Sequence, residues 1–423
     1  MSQEQTFAIL IFLVAYGLIV YRYNLKTYFL GTAAILYILL GFLSPTEVPH
    51  SINWGVLGIF WGTLILAETF IISGVPAYLA SILVRRSKNL GFAILFVSIL
   101  SGFLSAFIEN VATVLIVAPI ALELAKRLKK SPIPFIIGIA VSSNLQGAAT
   151  LIGDPPSMIL ASYARMTFND FFVYLGRPSI FFAVEVGAIS SFFVLYLFFR
   201  RYKEKIAKIE IIPIKTLMPT ILLIILIIAL SLTSIITKGN IEIPGIICVV
   251  IAFISLLIGL PKKSISAGKI IKRSDWDTML FLASVFVVVS GLTRVGVFDL
   301  LARRIGTFCQ GEVLTTFVIL IIISILVSAF VDNVPFFTAS LPIITALSMN
   351  FNYPKTLLLF GVLIGTTLGG NITPVGASAN IIGTGILKQK GHPVSFIDFV
   401  RIGLPFSIAA VIPAAILIWI FYH

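Results

Sequence analysis

The chain has 423 residues, 59% of them hydrophobic and 11% charged, with a mean hydropathy of +1.09, a balance that excludes a soluble globular domain and fits a multi-span membrane protein. A net charge of +13 could serve nucleic acid, but the basic residues cluster between apolar runs and mostly on one side of the expected bilayer, so the excess reads as a topology signal and no nucleic-acid partner is expected. Cys248 and Cys309 lie far apart in apolar surroundings, and His50, His392 and His423 fall in loops or at the terminus, so neither a disulfide framework nor a metal cluster follows.

Apolar runs long enough to cross a bilayer cover about 6–21, 27–43, 54–73, 171–199, 217–236, 243–260, 276–293 and 402–421. The first lacks a basic leader and a small-residue cleavage site, and reads as a retained span rather than a signal peptide. Two unusual segments follow the third run. The first, about 91–125, is apolar at both ends with a carboxylate, an amide and a nearby proline in its middle. Basic residues flank it on both sides, Arg85, Arg86 and Lys88 before it and Lys126 to Lys130 after it. A single crossing would violate the positive-inside bias, so a re-entrant hairpin that enters and leaves on the cytoplasmic side is expected. The second, about 134–163, is an apolar helix pattern interrupted at 142–150 and 153–157, where Gly and Pro should unwind the backbone.

Residues 201–216, rich in Lys, Arg and Glu, read as a cytoplasmic linker, their charge alternation as a solvated surface helix. The linker divides a first repeat, 1–200, from a second, 217–423, whose hairpin is expected at about 313–348 and whose broken helix at about 356–387. Threaded with both termini outside, the chain places 23 of its 30 basic residues on the cytoplasmic side and leaves Arg165, Arg177, Lys238, Arg294, Arg303, Arg304 and Lys355 outside.

The division rests on an internal duplication. Ser105-Ala106-Phe107-Ile108-Glu109-Asn110-Val111 recurs as Ser328-Ala329-Phe330-Val331-Asp332-Asn333-Val334, and Thr150-Leu151-Ile152-Gly153 as Thr373-Pro374-Val375-Gly376, both at an offset of 223. Trp54 and Gly74 match Trp276 and Gly296 at 222. An odd number of crossings separates the copies and inverts the second. The expected fold is an all-α polytopic membrane protein, an inverted-topology repeat with two re-entrant hairpins and two broken transmembrane helices. Matched Gly/Pro-broken polar segments of this kind mark the binding site of a secondary transporter.

An unwound stretch offers carbonyls from the half-helix before it to a cation, and N–H groups from the half-helix after it to an anion. Asn144, Thr150, Ser157, Thr367, Asn371, Thr373, Ser378 and Asn380 are small, neutral and oxygen-bearing, which suits a small polar or anionic solute and a hard monovalent cation rather than a transition metal. Gly147, Gly153, Gly370 and Gly376 bracket the breaks, and Pro155-Pro156-Ser157 and Gly376-Ala377-Ser378 should open the second half-helices. Glu109, Asp332 and Asp154 are carboxylates at membrane depth, where a charge costs at least ~2.5 kcal/mol and marks function. Glu109 and Asp332, followed by Asn110 and Asn333, are the expected proton or sodium carriers, set against the plainer role of capping a hairpin turn. Neither a catalytic cluster nor the Gly-Lys-Ser/Thr ending of a phosphate loop stands in the sequence, so an enzyme or a nucleotide site is not expected.

The runs 144–157 and 368–380 resemble the ion transporter superfamily, and within it the arsenite permease and melanosomal P protein branch with its citrate-transporter-like domain, related to sodium/dicarboxylate symporters and D-type sodium/proton antiporters. The resemblance spans nearly the whole chain. It implies a homodimer with separate scaffold and transport regions and an elevator-like movement. Sodium/dicarboxylate symporters of this superfamily carry Ser-Asn-Thr at the hairpin tips. Here Glu109-Asn110-Val111-Ala112-Thr113 and Asp332-Asn333-Val334-Pro335-Phe336 stand there, so Asn110, Asn333 and Thr113 carry over and the second threonine does not. That departure points toward proton coupling. The expectation is a secondary active transporter of the cell membrane for a small anion or arsenite-like solute, with Na+ or H+ as coupling ion and no other cofactor. The alternatives are a sodium/proton antiporter of the same fold and a sodium-coupled dicarboxylate or citrate transporter.

Overall fold

In a lipid core each segment must satisfy its own backbone N–H and C=O groups, so the long Ile/Leu/Phe runs become helices punctuated by Gly, Pro and basic clusters. The computed structural model describes residues 2–206, 210–237, 240–260, 266–309 and 311–423. Lys208, Lys238, Lys262 and Lys263 of the charge distribution lie outside the described residues.

Helices α1 (Gln3–Tyr21) and α2 (Lys26–Leu39) are joined by a 3-10 turn at Tyr23–Leu25, and a short α3 (Val48–Ser51) leads into α4 (Trp54–Ser73) and α5 (Val75–Arg86). A first hairpin, α6 (Leu90–Ser105) and α7 (Asn110–Arg127), precedes a helix broken into α8 (Ile133–Gly147) and α9 (Pro155–Ala164), then α10 (Ile180–Phe199). Beyond the linker come α11 (Met218–Thr237), α12 (Glu242–Ile258), α13 (Ala267–Arg273), α14 (Trp276–Arg294) and α15 (Val297–Phe308). A second hairpin, α16 (Val313–Ser328) and α17 (Asn333–Phe351), leads to a second broken helix, α18 (Lys355–Gly369) and α19 (Ser378–Gln389), and to α20 (Phe396–Tyr422).

Among the described residues eight helices are long and apolar enough to cross a membrane. The first hairpin arms, α6 and α16, are 16 residues each. At 1.5 Å per residue they reach about 24 Å, short of a ~30 Å hydrocarbon core, as a re-entrant arm should. The two halves pack as an inverted pair: α4 lies on α12 as α14 lies on α2, α6 lies on α8 as α16 lies on α18, and α10 meets α20. Close approach of α4 and α12 depends on small residues, since a Cβ at Gly62 would collide with the backbone of Cys248.

Three expectations are corrected. Segment 142–147 and its repeat counterpart 365–369 remain helical, and the breaks begin later, at 148–154 and 370–377. The reason is local: Ser142, Thr366 and Thr367 bond back to the carbonyls of Gly138, Val362 and Leu363 at 2.7, 2.6 and 2.9 Å, so these polar side chains are satisfied without unwinding. The described part of the linker is not a surface helix. It runs extended beneath the first hairpin, Leu90 and Gly91 donating to the carbonyls of Glu204 and Tyr202 at 2.9 Å each. There Lys130 meets Glu204 at 2.6 Å and holds its carboxyl below the usual range. Finally, the run 171–199 crosses only from Ile180. Before it, Val173–Tyr174 pairs with Arg177–Pro178 through a turn that puts Leu175 and Gly176 at φ +52° and +73°.

Candidate functional site

Each hairpin tip is built by one acidic residue and one asparagine. Glu109 caps α7 by accepting from the Ala112 N–H at 2.9 Å, and Asp332 caps α17 by accepting from Val334 at 3.1 Å, placing each carboxylate at the positive end of a helix. Beside them Ser105 donates to the Asn110 amide at 2.5 Å, and Ser328 Oγ lies 2.6 Å from the Asn333 amide. Capping is therefore a real part of what these carboxylates do. It leaves Asp332 Oδ2 available to other groups.

The breaks are fastened to the tips in the same way in both halves. Thr150 donates to the carbonyl of Ala106, and Thr373 to that of Ala329. Gly147 and Gly370 leave room for the tip amides: a Cβ at Gly147 would stand 2.5 Å from Asn110 Oδ1, and one at Gly370 would stand 2.8 Å from Asn333 Oδ1. A Cβ at Gly153 would meet the Gly147 carbonyl, and one at Gly376 the Gly370 carbonyl. The second half-helices differ. Asp154 Oδ1 caps α9 by accepting from Ser157 N–H at 2.9 Å, whereas Ala377 gives α19 no side-chain cap. Asn380 instead reaches back to the carbonyls of Gly370 and Thr373 at 2.8 and 2.9 Å.

A chain of amides joins the two halves. Asn110 Nδ2 donates to Asn144 Oδ1 at 3.3 Å, and Asn144 Nδ2 donates to the Thr367 carbonyl at 2.7 Å and to Asn371 Oδ1 at 3.0 Å. Asn144, Thr367, Asn371 and Asn380 are buried, and Asp154 Oδ2, Ser157 Oγ, Asn371 Nδ2 and Asn380 Oδ1 have no hydrogen-bond partner among the described residues. Such atoms belong to places that take up water, an ion or a solute.

Between tips and breaks lies a cleft of about 50 Å³. Of the residues expected in the site, Glu109, Asn110, Asn144, Asp154, Asp332, Asn333 and Ser378 line it. Thr113 bonds to the Glu109 carbonyl of its own helix at 3.3 Å, and with Gly147, Thr150, Gly153, Ser157, Thr367, Gly370, Asn371, Thr373, Gly376 and Asn380 it stands behind the lining.

Helices α2 and α14 and the residues just before them supply lining the sequence did not reveal. Lys26, Asp275 and Thr278 are the further polar residues of the lining, and Tyr23 donates to Asp332 Oδ2 at 2.7 Å. Lys26 reads from the sequence as one more basic residue at a cytoplasmic loop; it is buried. The one available signal is its place immediately before the apolar run 27–43, which an ordinary topology charge shares.

The sequence matches the family described as citrate transporter over residues 16–365 and 249–423. It is 31% identical to a 46 kDa membrane protein of Mycobacterium leprae (strain TN) over 98% of both chains. It is also 24% identical to the P protein of Homo sapiens, over 96% of this chain and 59% of that longer one. The fold resembles the YdaH transporter of Alcanivorax borkumensis, whose structure is described as having an unusual topology, with a TM-score of 0.59 at 13% identity over 99% of this chain and 98% of that one. It also resembles MtrF of Neisseria gonorrhoeae, with a TM-score of 0.55 at 14% identity over 92% and 84%. A duplicated, multi-pass helical protein with this match along its whole length belongs to the citrate transporter family, within the ion transporter superfamily.

Proposed function

We propose that the protein is a secondary active transporter that moves a small anion or arsenite-like solute through the cleft between the hairpin tips and broken helices, coupled to protons or sodium. The observation that carries this reading is the amide chain Asn110–Asn144–Asn371, which spans both repeats at the edge of a cleft lined by groups of both signs. An anion would find the uncapped N-terminus of α19 at Ala377–Ala379, and a coupling cation the carboxylates of Glu109 and Asp332. As it stands the cleft admits an inorganic ion or a few waters, so a citrate-sized solute requires the tips to part. In this reading the hairpins and broken helices move together against α2, α4, α12 and α14, in an elevator-like homodimer whose termini both lie outside.

A second reading, exchange of sodium for protons alone, is favoured by the four carboxylates that line the cleft, Glu109, Asp154, Asp275 and Asp332. Proteoliposomes under an imposed pH or sodium gradient separate the two. Uptake of arsenite, a phosphate-like oxyanion, a dicarboxylate or citrate supports the first. Sodium flux against a pH gradient with no solute effect supports the second. Under the first reading, Asn144→Ala and Asn371→Ala each abolish solute-dependent transport without loss of expression, and normal uptake by both moves the site elsewhere.

A further inference from the structure

Lys26 begins α2, which packs on α1 and α14; in the transporter reading α2, α4, α12 and α14 form the frame against which the hairpins and broken helices move. Its side chain is only 7% exposed, and its ammonium lies 4.0 Å from Asp332 Oδ2 on the second hairpin tip. The same ammonium donates to Tyr23 OH at 3.1 Å and Thr278 Oγ1 at 3.4 Å, and stands 4.8 Å from the ring centres of Tyr23 and Phe281. Tyr23 closes the network: it donates to Asp332 Oδ2 at 2.7 Å and lies 3.0 Å from Ser378 Oγ, so Lys26 and Ser378 fill the acceptor sites of its hydroxyl. Glu109, the equivalent of Asp332 in the first repeat, has no basic side chain within 4.0 Å among the described residues.

A buried ammonium is costly unless paired, and here its carboxylate partner sits on an element of the other structural unit. Lys26 therefore occupies the position that a bound monovalent cation would take beside Asp332. Resting on the transporter reading above, we propose that Lys26 is a resident counter-ion. Its ammonium holds Asp332 while no transported cation is there, and arrival of sodium or a proton at Asp332 displaces it, so that cation loading frees the second hairpin tip from the frame. The other charged or titratable groups facing this pair are Glu109, Asp154, Asp275, Tyr16 and Tyr23. They are common to every variant below except where Tyr23 itself is changed.

The test uses the purified full-length protein. Thermal unfolding is followed against sodium chloride, with choline chloride holding ionic strength, and against pH. Loss of the competing charge lowers the sodium concentration for half-maximal stabilisation by at least about tenfold in Lys26→Met, or raises the proton midpoint by at least about one pH unit. Lys26→Arg restores the wild-type midpoint. In the Asp332→Asn background, Lys26→Met makes no further shift. A midpoint in Lys26→Met within about twofold of wild type overturns the proposal, while gradient-driven uptake by the wild type in proteoliposomes leaves the transporter reading standing. Should Lys26→Met fail to fold, Tyr23→Phe, which removes the bridging hydroxyl, must shift the midpoint in the same direction, and no shift overturns the proposal. A wild type that responds neither to sodium nor to pH, in stability or in flux, overturns the reading and the proposal together.

Discussion

Gly147 and Gly370 leave room for the amides of the hairpin tips, and alanine there tests how tightly tip and break are joined. The added methyl would stand 2.5 Å from the Asn110 amide or 2.8 Å from the Asn333 amide, well inside van der Waals contact. Overpacking of this sort costs about 1–3 kcal/mol, so Gly147→Ala and Gly370→Ala should each unfold several degrees below wild type in a thermal scan in detergent. Gly385→Ala on α19, whose methyl would meet nothing within 4 Å, should match or exceed wild type. Equal stability of all three would show that the tips do not press on the breaks. At this scale the sequence was informative where residues recur and silent where they do not. The 223-residue offset aligns Ser105 with Ser328 and Thr150 with Thr373, and each aligned pair makes matching hydrogen bonds. Lys26 and Tyr23 act on one repeat only, and nothing local distinguishes a buried ammonium from one at a membrane edge.

Hairpins and broken helices are elements whose existence was legible and whose boundaries were less so. The hairpins run Leu90–Arg127 and Val313–Phe351, each with a proline inside its second arm, Pro119 and Pro342, at the repeat offset. The breaks lie several residues beyond the Ser/Thr/Asn-rich stretches expected to form them. Polar residues alone do not unwind a buried helix when they can bond to the preceding turn; proline does, and Asp154 before Pro155-Pro156 adopts φ −147° and ψ 162°, as a residue before proline favours. The linker was misread because alternating charge is compatible with any solvated backbone. Its extended path is set by pairing with Leu90 and Gly91, a contact between distant segments. Sidedness of the hairpins is open to direct measurement. Lys88→Cys and Lys129→Cys flank the first hairpin and should both react only with a membrane-impermeant reagent on the cytoplasmic side, and Lys355→Cys only from outside. Labelling of positions 88 and 129 from opposite faces would turn the first hairpin into a full crossing and remove the inverted relation between the two.

For the whole molecule the two inverted halves carry different charges at equivalent places, and coupling should follow that asymmetry. Asp332 is tied to α2 and the turn before it through Lys26 and Tyr23, whereas Glu109 lines the cleft, caps α7 through the Ala112 N–H and meets no basic side chain within 4.0 Å among the described residues. α9 is capped by Asp154, whereas α19 is open at Ala377. A symmetric site would bind its ion and its solute equally in both halves. The observed one puts the tethered carboxylate and the uncapped helix end in the same half, where Ser378 lies 3.0 Å from the Tyr23 hydroxyl that Asp332 accepts from. Under the proposed transporter reading, cation arrival and solute binding meet at the second hairpin tip, and Glu109 contributes charge from the opposite side of the cleft. Neutral isosteres separate these roles. Asp332→Asn should retain solute binding but lose acceleration by a pH or sodium gradient, since no charge remains for the coupling ion to compensate. Glu109→Gln should lose the same acceleration only in part. The measurement is initial uptake in proteoliposomes with and without the gradient, alongside equilibrium binding of the transported solute in detergent. Gradient-driven uptake at the wild-type rate in the double Glu109→Gln/Asp332→Asn protein would exclude both as carriers and leave Asp154, whose Oδ2 has no partner among the described residues, as the carboxylate to test next.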